Sequence, residues 1–172
     1  MLEIISSVIG GCGILANAII YQQKAGKRML VWKLISDILW AAHYFTLGGI
    51  SAGVIACIGV VRESVFLNKG KKWADSKLWL LFFVVLSIVS AIFTWKSPMS
   101  ILPVLASVIS VFSFWRAKPL LSKLLAYIIS ACMLSYDILV LSYMGMINEV
   151  LTLISTTIGI VTLNIFESEK KI

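Results

Sequence analysis

The chain alternates long apolar runs with short polar breaks, and the runs have the length of membrane-crossing helices. A spanning helix needs about 20 mostly apolar residues, with a range of about 17–25. Seven runs meet or approach that length: Ile4–Tyr21, Met29–Leu47, Ile50–Leu67, Leu78–Trp95, Ser100–Trp115, Leu120–Ser142 and Met146–Phe166. The breaks carry turn-forming residues, namely Gly48-Gly49, Lys96-Ser97-Pro98, Lys118-Pro119 and Gly145. Pro98, Pro103 and Pro119 fall at or near run starts, where a missing N–H costs least. The pattern predicts an all-α integral membrane protein with seven transmembrane helices.

Composition points the same way. Of the 172 residues, 60% are hydrophobic and 13% charged, with a mean hydropathy of +0.99. Soluble domains run about 45–50% apolar and about 25% charged. A soluble globule of this length could not hide so much apolar surface. A soluble cytoplasmic enzyme, a disordered chain and a secreted disulfide scaffold are therefore excluded. Cys12, Cys57 and Cys132 stand singly in apolar stretches and read as small packed hydrophobes. They offer neither a disulfide framework nor a zinc site.

The net charge is +7, from 15 Lys+Arg against 8 Asp+Glu. Its distribution matters more than its size. Short cytoplasmic loops collect Lys and Arg. The break after the first run holds Lys24, Lys27 and Arg28, with Lys33 a turn further on. The break after the third holds Lys69, Lys71, Lys72 and Lys77, with Arg62 just before it. Arg116, Lys118 and Lys123 surround the break after the fifth, and Lys170 and Lys171 lie in the tail. Only Lys96 falls on the other side. The excess is thus an orientation signal, with the N-terminus outside and the C-terminus cytoplasmic, and no nucleic-acid partner is expected. Glu3 precedes the first run and cations follow it, the reverse of a cleaved signal peptide.

The layout reads as three, one, three. Residues 1–67 form a first three-helix unit, 68–99 an inner basic loop plus a linker helix, 100–166 a second three-helix unit and 167–172 a cytoplasmic tail. A shift of about 93 residues carries His43 to Tyr136 and Asp137, and Gly49 to Ser142 and Tyr143. Three spans reverse the chain and a fourth restores its direction, so the second unit enters parallel to the first. This plan resembles that of SWEET and PQ-loop (MtN3-like) transporters, whose site lies near the midplane between parallel repeats.

A nearer resemblance rests on particular residues. Ile101-Leu102-Pro103-Val104-Leu105, then Ser107, Ile109 and Ser110, resemble the fifth-helix stretch of the YgjV-type bacterial inner-membrane protein family. His43-Tyr44-Phe45-Thr46-Leu47-Gly48, Val60-Val61-Arg62 and Phe114-Trp115-Arg116 fall where that family carries a His-to-Gly turn, an arginine and an aromatic helix exit. Gly59 stands where an asparagine is expected, and Tyr136 or Asp137 where a histidine is expected in the sixth helix. The resemblance implies a multi-pass protein of the bacterial cytoplasmic membrane with a SWEET-like fold.

Charged groups inside a bilayer cost about 2.5–3.5 kcal/mol each on insertion scales and face a bundle interior or wet cavity. They nominate the site. Asp37 lies nine residues beyond Arg28, about 13 Å deep at about 1.5 Å per residue. Lys33 is one turn earlier, so pathway residue and structural ion pair both remain open. His43, the one histidine, reads either as a proton carrier or as an interhelical hydrogen-bonder. Asp137, after Tyr136, reads as substrate contact, proton site or a water-exposed carboxylate near the outer end. Asn17 lies mid-helix and must find a partner. Trp40, between Asp37 and His43, is core packing or a stacking platform. Asn148 and Glu149 open the seventh helix, where the macrodipole favours an acid. Arg62 and Glu63 read as interfacial anchors. Arg62, Asn148 and Glu149 are also gate candidates.

Enzyme chemistry is not expected. Neither Ser36-Asp37 nor Tyr136-Asp137 fits a Gly-x-Gly-Asp protease pattern, one histidine makes no metal site, and no Gly-x-Ser-x-Gly elbow is present. No catalytic residue, cofactor or metal is assigned. The expected function is a small-solute transporter or facilitator working by alternating access between the two units, with proton coupling if carboxylates drive the cycle. The alternative is a non-transporting receptor or partner subunit of the same fold. The expected partners are the bilayer and a small solute, with homo-oligomerisation left open.

Overall fold

A computed structural model describes residues 2–46, 50–94, 98, 101–139 and 143–169. Among the described residues there are seven α-helices and no strand. They are α1 (Leu2–Ile20), α2 (Gly26–Thr46), α3 (Ile50–Leu67), α4 (Lys77–Thr94), α5 (Ile101–Arg116), α6 (Pro119–Leu139) and α7 (Tyr143–Glu169). Each of the seven apolar runs is a helix. The largest shift is in α7, which begins three residues before the expected Met146 and continues to Glu169. The turn Leu47-Gly48-Gly49, the Trp95–Lys96 stretch, Ser142 and the terminal Lys170-Lys171 lie outside the described residues.

The molecule is organised inside out relative to a soluble bundle. Every helix exposes large apolar side chains, with Leu78 73% and Phe93 86% exposed on α4. The buried set among the described residues holds nearly as many polar as apolar side chains. That is what a lipid solvent demands, since hydrocarbon solvates the outer apolar face and polar groups must find partners within. By length and composition alone, Pro119–Leu139 and Gly145–Leu163 are long and apolar enough to cross a bilayer, and Val8–Ile20, Lys77–Ser90 and Ile101–Arg116 are shorter apolar stretches. Cys12 and Cys57 are exposed on this outer face instead of packed within.

Packing follows chain order. α2 lies between α1 and α3, and α6 lies between α5 and α7. α4 packs chiefly on α5 and only lightly on α3. Between the two groups of three, α1 meets α7 and α3 meets α5. Buried positions recur at the shift noted above: Tyr21 and Phe114, Met29 and Ser122, Asp37 and Ser130, Arg62 and Ser155, Glu63 and Thr156.

Three basic connections gather at one end. A Cβ at Gly26 would lie 1.7 Å from the Ala117 carbonyl oxygen, so the α1–α2 turn abuts the α5–α6 turn closely enough that only glycine fits. Lys69, in the α3–α4 connection, donates to the Trp115 carbonyl at 2.7 Å and sits 3.8 Å above the Trp115 ring centroid. It thereby caps a helix C-terminus and makes a cation–π contact. Burial pushes its ammonium pKa down, with Asp75 opposing and Arg116 adding to the shift. Phe66 meets Phe83 and Trp115 edge-to-face and Trp79 stacks on Phe83, forming an aromatic cluster beneath this end.

Candidate functional site

The nominated residues fall into three places, and helical geometry explains the sorting. Asp37 and His43 are six positions apart, so they point about 120° apart around α2. His43 accordingly faces α1, where Nδ1 lies 2.8 Å from the Ser6 carbonyl oxygen and 3.1 Å from Ser6 Oγ. A carbonyl only accepts, which assigns the hydrogen to Nδ1. The Trp40 ring meets His43 edge-on at 5.4 Å and packs on Gly13, while His43 packs on Gly10. Both pack at the contact between α1 and α2.

Asp37 faces α3. One oxygen pairs with Lys33 a turn earlier. The other, Oδ2, rests where Gly59 lacks a side chain, 2.6 Å from the position a Cβ would take. The glycine at 59 thus makes room for the carboxylate. One turn along α3, Arg62 Nε and Nη2 both reach Glu63 Oε1, at 2.9 and 2.8 Å. Adjacent residues on a helix point apart, so the long guanidinium must fold over its neighbour. Arg62 is 8% and Glu63 0% exposed. This corrects the reading of the two as interfacial anchors: α3 carries them inward against α2, and their apolar neighbour Val61 takes the outer face, 53% exposed.

The third place is the seam between the two groups of helices. Asn17 Nδ2 on α1 donates to Asn148 Oδ1 at 3.2 Å and Thr152 Oγ1 at 2.9 Å on α7. Gln22 Nε2 donates to the Ser155 carbonyl and hydroxyl at 2.7 and 2.8 Å, and Ser155 Oγ donates to the Ala18 carbonyl. Below these, Gly159 lets α7 ride on the Tyr21 carbonyl, 1.9 Å from where its Cβ would be. Fully buried Lys123 donates to the Gly159 carbonyl at 2.7 Å. Two asparagine amides, two hydroxyls and a glutamine hold the seam without a salt bridge among the described residues.

Glu149 is not at the mouth of its helix. α7 starts at Tyr143, which places Glu149 nearly two turns in, beyond the reach of the terminal dipole. Asn148 Nδ2 donates to it at 3.1 Å. Ser130 of α6 approaches the same carboxylate, although its hydroxyl makes no bond of strict geometry. Asp137 is also buried, unlike the water-exposed carboxylate that was one of its three readings. It lies over Gly145, in the first turn of α7, where a Cβ would come within 2.5 Å of it. Tyr136 is half-buried beside it on α6.

A family model described as Imp-YgjV, bacterial inner membrane protein, matches residues 4–165. The chain belongs to this family. No curated protein and no solved structure gives a significant match. The buried charges described above therefore belong to an inner-membrane protein.

Tyr21 ties the places together. It closes α1 and lies within electrostatic range of Glu149, Asp37 and Glu63. From α5, the Phe114 ring centroid comes within 6.0 Å of Lys33 Nζ. Tyr21, Lys33, Asp37, Arg62, Glu63 and Glu149 are therefore electrostatic neighbours in this family member. Tyr21 and Glu63 were missing from the expected site. Their signal was available as the repeat: Tyr21 is the mate of buried Phe114, and Glu63 that of buried Thr156. Among the described residues no group of three or more His, Cys, Asp or Glu side chains is placed to hold a metal ion.

Proposed function

We propose that this chain is a small-solute transporter or facilitator of the bacterial cytoplasmic membrane, built as two parallel three-helix units in a SWEET-like 3+1+3 plan. The units are α1–α3 and α5–α7, with α4 as the linker, N-terminus outside and C-terminus cytoplasmic. The observation that carries the reading is the seam. Helices pack extensively within each unit, whereas the units meet chiefly through lighter contacts of α1 with α7 and α3 with α5, and polar side chains concentrate between α1 and α7. Hydrogen bonds between transmembrane helices average about 0.6 kcal/mol in one well-measured case. Such a seam can break and reform during rocking, while apolar packing keeps each unit intact.

The recurrence of buried positions at one fixed interval supports the parallel relation, and the gathering of basic connections at one end supports the orientation. A solute would pass between the units, past Tyr21, Asp37, Glu63 and Glu149. Asn17, Asn148 and Thr152 would act as the latch that closes the path on the α1–α7 side. His43 and Trp40 position α2 on α1 and lie outside the path.

The test is uptake of a labelled panel of sugars, amino acids and amines into proteoliposomes, against protein-free vesicles. At least one solute is expected to enter faster with the protein, and Asp37→Asn is expected to lower that rate tenfold or more. Uptake equal to protein-free vesicles across the panel would favour the receptor reading.

A further inference from the structure

One arrangement of side chains occurs twice in the molecule. In the first unit the Asp37 carboxylate of α2 rests on Gly59 of α3, 2.6 Å from the place of a Cβ. Glu63 lies one turn further along α3, and its neighbour Arg62 donates from Nε to its Oε1 at 2.9 Å. In the second unit the Asp137 carboxylate of α6 rests on Gly145 of α7, 2.5 Å from the place of a Cβ. Glu149 lies one turn further along α7, and its neighbour Asn148 donates from Nδ2 to its Oε1 at 3.1 Å. Residues four apart on a helix have Cβ atoms about 5–6 Å apart, so each aspartate lies beside the glutamate of the facing helix. The segments read Gly59-Val60-Val61-Arg62-Glu63 and Gly145-Met146-Ile147-Asn148-Glu149.

The second copy is displaced from the repeat of about 93 residues. Asp137 follows Asp37 by 100 residues, and Glu149 follows Glu63 by 86. Only residues 140–142 separate α6 from α7, which therefore run in opposite directions. About seven residues more on one helix and about seven fewer on the other are then the same displacement. It amounts to about two turns, or about 10 Å, and rotates a side chain by only about 20°. The arrangement has slid toward the α6–α7 connection while facing the same way.

The two copies differ in charge. Asp37 pairs with Lys33, four residues before it. The same place before Asp137 holds Met133. Glu63 has Arg62, whereas Glu149 has Asn148, which makes the matching hydrogen bond without the charge. The first copy is neutral, and the second carries two carboxylates with no cation of its own. Asp137 is 7% exposed and forms no hydrogen bond or ion pair among the described residues. A buried carboxylate is costly unless paired. The first copy shows what pairs it in this arrangement, namely nitrogen cations rich in N–H donors.

We propose that Asp137 and Glu149 bind the ammonium group of a protonated amine, which takes the place beside Asp137 that Lys33 holds beside Asp37. As a step of the cycle this rests on the transport reading above, for which it names the class of solute. Asn148 fixes the Glu149 carboxylate and accepts from Asn17, so it joins the amine site to the contact between α1 and α7.

Thermal unfolding in detergent at neutral pH, titrated with methylammonium chloride, reads the binding as a saturating rise in Tm. Tetramethylammonium chloride at the same ionic strength, a cation without N–H donors, is expected to give no such rise. Asp137→Asn and Glu149→Gln are each expected to weaken the apparent affinity about tenfold or more. Met133→Lys supplies an internal ammonium one turn before Asp137 and is expected to abolish the rise. Asp75→Asn, in the α3–α4 connection, is expected to leave it. Where Met133→Lys fails to fold, Asp137→Asn carries the comparison. An equal rise with tetramethylammonium or sodium, or a full rise in Asp137→Asn, overturns the proposal. Uptake into proteoliposomes separates it from the transport reading. Methylammonium binding with no uptake of any solute upholds the site and overturns transport. Uptake of other solutes with no rise from methylammonium overturns the site and leaves transport standing.

Discussion

The two units place different chemistry at matching positions. In α2 and α3 the inward positions hold Asp37 and Glu63, each joined to a neighbouring cation on its own helix. In α6 and α7 the same positions hold Ser130 and Thr156, and the position matching Arg62 holds Ser155. Burial is the same in both cases, so packing alone does not ask for charge. A smaller hydroxyl side chain is buried there at a fraction of the desolvation cost. Under the transport reading, what selects charge in the first unit is use and not architecture.

The sharpest way to break this comparison is to strand a charge. Arg62→Ala leaves Glu63 buried without its guanidinium, and breaking a buried pair costs about 3–5 kcal/mol. Thermal unfolding in detergent is expected to show a loss of that order, relieved by the double substitution Arg62→Ala with Glu63→Ala. Equal loss in the single and double variants would remove the ion pair from the account. A middle-sized effect is expected at the seam. Asn17→Ala deletes both bonds to α7 and is expected to cost about 0.6–1.7 kcal/mol, the range for such bonds in membranes. The same substitution is expected to raise cysteine cross-linking rates at inserted probes across α1 and α7, since the units part more easily. The smallest effect belongs to the second unit's centre. Ser130→Ala removes a hydroxyl with no strict partner and is expected to change stability by less than about 1 kcal/mol. A loss as large as that of Arg62→Ala would show that the hydroxyl half bears as much of the structure as the charged half.

The apolar runs made the seven helices legible, because lipid lets a run of hydrophobic residues stand alone without a partner pattern. The third helix was matched end to end, Ile50–Leu67. The division of α2 was legible too, since the angle between Asp37 and His43 follows from 3.6 residues per turn. What local sequence could not carry was depth against breadth. Arg62 lies five residues from the end of α3, which reads as an interfacial position, yet the side chain turns inward because α2 occupies that side. Glu149 read as a helix opener because the run began at Met146, but α7 starts a turn earlier. The link from Asn17 to Thr152 spans most of the chain, and no spacing rule could name the partner. Charge and polarity nominated residues singly, while Tyr21 and the grouping of the rest needed the fold.

The lopsided seat of α4 has a consequence for how the chain is made. α4 lies on α5 and barely touches α3, so α1, α2 and α3 complete their mutual packing without it. Synthesis proceeds from the N-terminus and domains fold as units, so the first three helices can assemble in the bilayer while the rest is still on the ribosome. α4 then waits for α5 and joins the later assembly. The protein is therefore built as three helices followed by four, and its N-terminal third is the segment best suited to expression as an autonomous fragment.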